Sequence, residues 1–151
     1  MKLQTATSLA LVSVLEAAAN PGRAVSAADI ADKYGVSIHH LAKVLRELAR
    51  AGVVESARGV GGGYRFAGNA KRLTLMDIIE RFEDISARSP DGGRTTTDAG
   101  RALARVLAEI DEIAKATFRS ITIDTMLKLI ARERGAAPAA ASRAAPAARQ
   151  A

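Results

Sequence analysis

The chain has 151 residues, 48% of them hydrophobic and 25% charged, which is enough apolar material for one domain with extensions and too little length for a large multidomain enzyme. Cysteine and tryptophan are absent and aromatics make up 3%, so the core is aliphatic, and disulfides, thiolate nucleophiles and thiolate-held metals or iron-sulfur clusters are excluded. The 22 Lys and Arg against 16 Asp and Glu leave a net charge of +6, which favours a polyanionic partner, either nucleic acid or a membrane surface.

The first helix is expected from Thr5 to Ala19, ending before the turn signal Asn20-Pro21-Gly22. Lys2, the apolar run Leu9 to Leu15 and the small residues Ala17 to Ala19 have some features of an export signal. Gln4, Thr5, Thr7, Ser8 and Glu16 interrupt that pattern, and Leu11, Val14, Leu15 and Ala18 instead follow the three-four spacing of an amphipathic helix. No apolar run approaches the roughly 18 residues needed to cross a bilayer, so the expectation is a cytoplasmic protein with no membrane partner.

Ser26 and Asp29 have the spacing of a capping box with aspartate in place of glutamate. Ile30, Ala31 and Tyr34 give the short second helix one apolar face, and Gly35 closes it. Ser37 is then expected to cap a third helix with Leu41, Val44, Leu45 and Leu48 inward and Gly52 at its end. Two short helices joined by Gly35-Val36-Ser37 suit a helix-turn-helix that presents its second member to a DNA groove, although such pairs also serve as plain structure.

The residues after the third helix favour DNA. Val53 to Ser56 and Tyr64 to Ala67 read as strands flanking Ala57-Arg58-Gly59-Val60-Gly61-Gly62-Gly63, a hairpin with a glycine-rich tip. Three helices and then a hairpin is the order of a winged helix-turn-helix, in which glycines let the backbone approach a sugar-phosphate surface. The glycines fit neither a Walker loop nor a dinucleotide fingerprint. Residues 33–72 carry eight basic and two acidic side chains, whereas residues 73–98 carry three arginines and six acids, so the positive field is concentrated on the expected reading head.

Thr74 and Asp77 suggest a capped fourth helix from Leu75 to roughly Glu83, with Leu75, Ile78, Ile79 and Phe82 inward. Residues 85–97 read as a polar loop. A long helix is expected from Asp98 to Arg119, where Leu103, Val106, Ile110, Ile113 and Thr117 alternate three and four apart as a heptad seam, with Leu107 beside them. Such a helix exceeds what a small winged domain covers alone, so it is assigned to homodimerisation. A last helix spans Ile123 to Arg134. The final 17 residues, 135–151, hold ten alanines, two prolines, two arginines and no acid, the composition of a disordered tail.

Residues 1 to about 134 resemble the Rrf-two (Rrf2) family of bacterial winged-helix regulators. The resemblance rests on Met1-Lys2-Leu3, on Gly35-Val36-Ser37 with Leu41, Leu45 and Leu48, on Ala51-Gly52-Val53-Val54, and above all on Arg58-Gly59-Val60-Gly61-Gly62-Gly63-Tyr64. Leu73-Thr74-Leu75 and Ile121-Thr122-Ile123 come later in the same order. The resemblance implies a mainly α fold with a small β-hairpin wing, and a homodimer on a partly palindromic promoter site in double-stranded DNA. It places the third helix in the major groove and the wing in the minor groove. Ser37, His39, His40, Ala42 and Lys43 then become candidate contacts on the helix, and Arg58, Gly61, Gly62, Gly63 and Arg65 on the wing. Family members that hold an iron-sulfur cluster use three cysteines in the loop before the long helix. Here residues 84–100 offer Ser86, Asp91, Thr95, Thr96, Thr97 and Asp98 but no cysteine, so no cofactor is expected.

Catalysis finds no support. The two histidines, His39 and His40, are adjacent and project about 100° apart on a helix, which does not make the i,i+4 metal pair. Glu80, Glu83 and Asp84 read as solvated acids. The chain is therefore read as a non-enzymatic, sequence-specific DNA-binding regulator, with a repressor acting by promoter occupancy as the leading form. The alternative is a winged-helix adaptor that binds a protein without sequence-specific DNA binding.

Overall fold

Side-chain caps and aliphatic spacing set the element boundaries. A computed structural model describes residues 2–85 and 96–136. The order is α1 (Thr5–Ala18), α2 (Ala27–Tyr34), α3 (Ile38–Arg50), β1 (Val54–Ala57), β2 (Gly63–Phe66), α4 (Leu75–Ile79), α5 (Asp98–Ser120) and α6 (Ile123–Ala136). This is the mainly helical fold with a small antiparallel hairpin that the sequence suggested. Both strands begin or end one residue away from the expected bounds, with Val54 opposite Phe66 and Ala57 opposite Gly63.

Two of the anticipated caps form. Ser26 Oγ accepts from the Asp29 N–H at 3.2 Å, and Thr74 with Asp77 makes a complete capping box, the hydroxyl accepting at 3.2 Å and the Thr74 N–H donating to the carboxylate at 2.8 Å. The cap expected of Ser37 does not form: it occupies the N-cap position of α3, but its side chain accepts no bond from the first turn. Only its backbone carbonyl closes the helix, accepting from the Leu41 N–H at 3.0 Å. The first-turn N–H groups of α3 thus have no side-chain acceptor from Ser37.

The fourth helix is shorter than expected, ending at Ile79 rather than near Glu83. Beyond it the Arg81 and Phe82 N–H groups bond to the carbonyls of Ile78 and Ile79, three residues back, which tightens the chain into turns. That tightening accompanies a half-buried Phe82 and a buried Ile85. At the other end α6 continues through Gly135 to Ala136, past the expected stop at Arg134, with no proline before Pro138 to end it. Residues 86–95 of the expected loop and 137–151 of the expected tail, Ser86, Asp91 and Thr95 among them, lie outside the described residues.

One aliphatic core unites the first four helices and the hairpin. Val14 from α1, Ile30 from α2, Leu41, Leu45 and Leu48 from α3, and Ile78 and Ile79 from α4 are essentially inaccessible to solvent. Val25 joins the hairpin as a third, single-residue rung, exchanging 2.8 Å hydrogen bonds with Tyr64 in both directions. A second short pairing docks α6. The Leu75 N–H donates to Ile121 O and the Ile123 N–H to Leu73 O, both at 2.9 Å, with Ile123 fully buried beneath.

Helix α5 is different. It packs against α4, and Arg119 reaches Glu80 at 3.2 Å, yet none of its residues is buried. Leu107, Ala114 and Phe118 are half-buried on its inner side, while Leu103, Val106, Ile110 and Ile113 are exposed at 54, 51, 54 and 67%. The helix therefore carries two apolar stripes of which the protomer uses one.

Candidate nucleic-acid interface

Helix α3 has two chemically distinct faces because its apolar residues recur at 41, 44, 45 and 48. All four are buried, and this fixes the opposite face outward. Ser37, His39, His40, Lys43, Arg46 and Arg50 are exposed there, and Ala42 is half-buried between them. Arg50 is paired with Glu47 at 3.2 Å and Arg46 Nε donates to Ala42 O at 3.3 Å, so those cations are partly committed within the helix. Lys43 has no ion pair among the described residues. His40 also lines a cleft of about 480 Å³ with residues 2–6, which brings Lys2 to this side of the molecule.

The hairpin follows α3 directly. Arg58 and Arg65 are exposed, but Glu55 stands opposite Arg65 in the strand register, so Arg65 presents a weaker net field than Arg58. The glycines have a structural reason that sequence reading did not find. A Cβ on Gly63, at φ +147°, would lie 2.3 Å from Val25 O, the carbonyl that accepts the Tyr64 N–H. One on Gly62 would lie 2.6 Å from Ala57 O and 2.8 Å from Gly59 O. These two residues are required by the close packing of the wing on itself and on residue 25. Gly61 is exposed at the tip.

The sequence reading also passed over two apolar residues on this side. Ile38 opens α3 and is half exposed, and Val60, at the tip of the 58–62 loop, is wholly exposed. Ile38 had a signal, since it falls outside the 41, 44, 45, 48 spacing. Val60 had one as well, being the one large apolar residue in the glycine string.

Helix α2, which supports α3, is braced from behind. Lys33 Nζ and Tyr34 Oη both donate to Glu16 Oε1 on α1 at 2.6 Å. Burial pushes the Glu16 carboxyl up, but the bonds from Lys33 and Tyr34 and the charges of Lys33 and Arg134 outweigh it and leave the group below its ordinary value. Burial and the bond to Glu16 push the Tyr34 phenol up to about 12. The brace holds the helix pair at neutral pH.

No described cluster of three His, Asp or Glu side chains is arranged to hold a metal ion. The chain has no cysteine, so a thiolate-held iron-sulfur cluster does not fit it. Among the described residues no helix is long and apolar enough to cross a membrane.

Residues 3–129 match the Rrf2 family, described as iron-dependent transcriptional regulators. The chain is 56% identical over 134 residues to BadM of Rhodopseudomonas palustris, named as an HTH-type transcriptional regulator, covering 89% of this chain and 86% of that one. Among solved structures, CymR (YrzC), the global cysteine regulator of B. subtilis, superposes with a TM-score of 0.70 at 25% identity, covering 85% of this chain and 98% of CymR. IscR of T. potens superposes with a TM-score of 0.65 at 27% identity, covering 91% and 93%.

Proposed function

Because the chain belongs to the Rrf2 family of winged-helix transcriptional regulators, we propose that it is a sequence-specific homodimeric repressor. In this reading α3 lies in the major groove and the hairpin in the adjacent minor groove, with the partner protomer repeating both contacts on the second half of a partly palindromic site. The observation that carries it is the division of α3 into a wholly buried aliphatic face and an exposed face bearing His39, His40 and Lys43, with the Arg58 wing next in the chain. Lys43 can donate to guanine O6 and N7, and the histidines can reach base edges or phosphates. Ser37, with its hydroxyl not used as a cap, and the first-turn N–H groups suit a phosphate oxygen. Ala42 contributes an apolar contact where its half-buried methyl allows it. The wing backbone at Gly61 to Gly63 runs close to the sugar-phosphate surface.

Dimerisation is assigned to the outward stripe Leu103, Val106, Ile110 and Ile113. Thr117 continues it, although its hydroxyl already donates to Ile113 O at 2.9 Å, and Leu107 belongs to the half-buried inner side. Residues 1–84 then form the reading head and 98–136 the dimerisation unit, with α6 running two residues past the Arg134 stop expected from the sequence. Repression results from occupancy, a dimer covering promoter sequence that polymerase needs; no enzymatic step is involved.

The test is a pair of substitutions read by fluorescence anisotropy on DNA selected from a random-sequence pool. Lys43→Ala should cost about 1–3 kcal/mol on the selected site and relax preference at one or two base pairs. Arg58→Ala should weaken selected and scrambled DNA alike and lower the salt slope by about one unit. Equal wild-type affinity for both DNAs would refute sequence-specific binding.

A further inference from the structure

Resting on the DNA-binding reading above, we infer that Val60 is the residue by which the wing excludes guanine from the minor groove flanking each half-site. Val60 is the most exposed large apolar side chain among the described residues. It touches no part of the core, and it stands at the tip of a loop whose neighbours on both sides are glycines with positive φ, 92° at Gly59 and 74° at Gly61. The missing side chains on either side leave the isopropyl group flanked by bare backbone and fully open at the tip of the hairpin. Arg58, two residues earlier, brings the same tip to a polyanion. An aliphatic group has nothing to gain from phosphates or water, but it does gain from the apolar walls of a groove.

The minor groove decides which base pairs accept it. Over A·T pairs the floor offers only adenine N3 and thymine O2, whereas a G·C pair adds the guanine N2 amino donor. Val60 packed on that floor would bury the amine with no acceptor to replace water, which is costly. Over A·T the isopropyl group rests against deoxyribose and base edges and is removed from water. Selectivity at the flank therefore comes from an apolar residue penalising one donor, and it is independent of the charge carried by Arg58 and Lys43.

Inosine separates this from other causes, because an I·C pair keeps the major-groove pattern of G·C and lacks the amine. A duplex selected by the protein from a random-sequence pool is made with A·T, G·C or I·C pairs at the flanks, and affinity is measured for wild type and Val60→Ser. Wild type should bind the A·T and I·C duplexes about tenfold more tightly than the G·C duplex. Val60→Ser should bring the three within about twofold, with the thermal stability and the salt slope of wild type. An I·C duplex as weak as G·C, a flank preference that survives in Val60→Ser, or a salt slope that falls with it would overturn the assignment. Sequence selection by wild type without any flank preference overturns the role of Val60 alone. Failure of wild type to select any sequence overturns the DNA-binding reading and this one together.

Discussion

Replacing Ile110 with glutamate probes the middle of the outward stripe of α5. Leu103, Val106, Ile110 and Ile113 are each about half exposed or more. Full burial of such a side chain is worth about 1.5–3 kcal/mol, so covering the exposed part contributes about 1 kcal/mol each. Across a two-fold interface the eight copies give roughly 8 kcal/mol before the cost of association. Ile110→Glu removes two of those contributions, about 2 kcal/mol or some thirtyfold in Kd, and adds two like charges to the seam. Weakening should therefore exceed about a hundredfold. No α5 residue is buried within the protomer, so circular dichroism should show the helix content of a folded chain. Sedimentation equilibrium at micromolar concentration should show a dimer for wild type and a monomer for the variant, with operator affinity falling in parallel. A wild-type monomer, or a variant dimer of unchanged Kd, would refute the reasoning.

Gly63→Ala should destabilise the protein by at least about 2 kcal/mol in urea unfolding, because it adds both a disfavoured positive φ and a clash with Val25 O; a neutral result would mean that the wing packing is wrong. Ser13 is fully buried on α1 and its Oγ has no hydrogen-bond partner among the described residues, so Ser13→Ala should raise stability by about 1 kcal/mol. A loss of stability there would reveal an acceptor or donor that the buried hydroxyl uses. Stability should also change at both ends of the pH range through the brace on α2. The Tyr34 phenol is raised from 10.0 to about 12, so its contribution is complete below pH 10 and is lost as pH rises through the folded value. Tyr34→Phe should flatten that alkaline limb of the melting profile. Glu16 is lowered from 4.5, so its contribution is present above that pH and disappears as pH falls through the folded value, a slope that Glu16→Gln should remove.

The reading head was legible because its residues encode it locally. The 41, 44, 45, 48 spacing of α3 and the turn residues around Gly35 specify which face is inward without any knowledge of the partner helices. The same holds for the outward apolar stripe of α5, whose three-four alternation keeps Leu103, Val106, Ile110 and Ile113 on one exposed face. Less legible were features set by distant contacts. Ser37 lies at the expected N-cap, but whether its hydroxyl turns to the helix is decided by rotamer and surroundings rather than by position. The stop of α4 at Ile79 depends on drawing Phe82 and Ile85 toward the core, for which the periodic pattern alone would have continued the helix. Gly62 and Gly63 looked like residues shaped for a ligand, yet the atoms that demand them belong to Ala57, Gly59 and Val25. Leu107, grouped with the stripe for dimerisation but outside its 103, 106, 110, 113, 117 spacing, sits on the half-buried side of α5, about 100° round the helix from Val106.

The central claim is that this basic head reads sequence rather than charge alone, and competition binding tests it most directly. Anisotropy of the full chain on a duplex selected from a random pool, against a scrambled duplex of the same composition, is recorded as salt is raised. The selected duplex should bind more tightly by at least about a thousandfold at physiological salt, with both affinities falling as salt rises. Equal affinities that fall together with salt would contradict it, leaving a basic surface with no sequence to read.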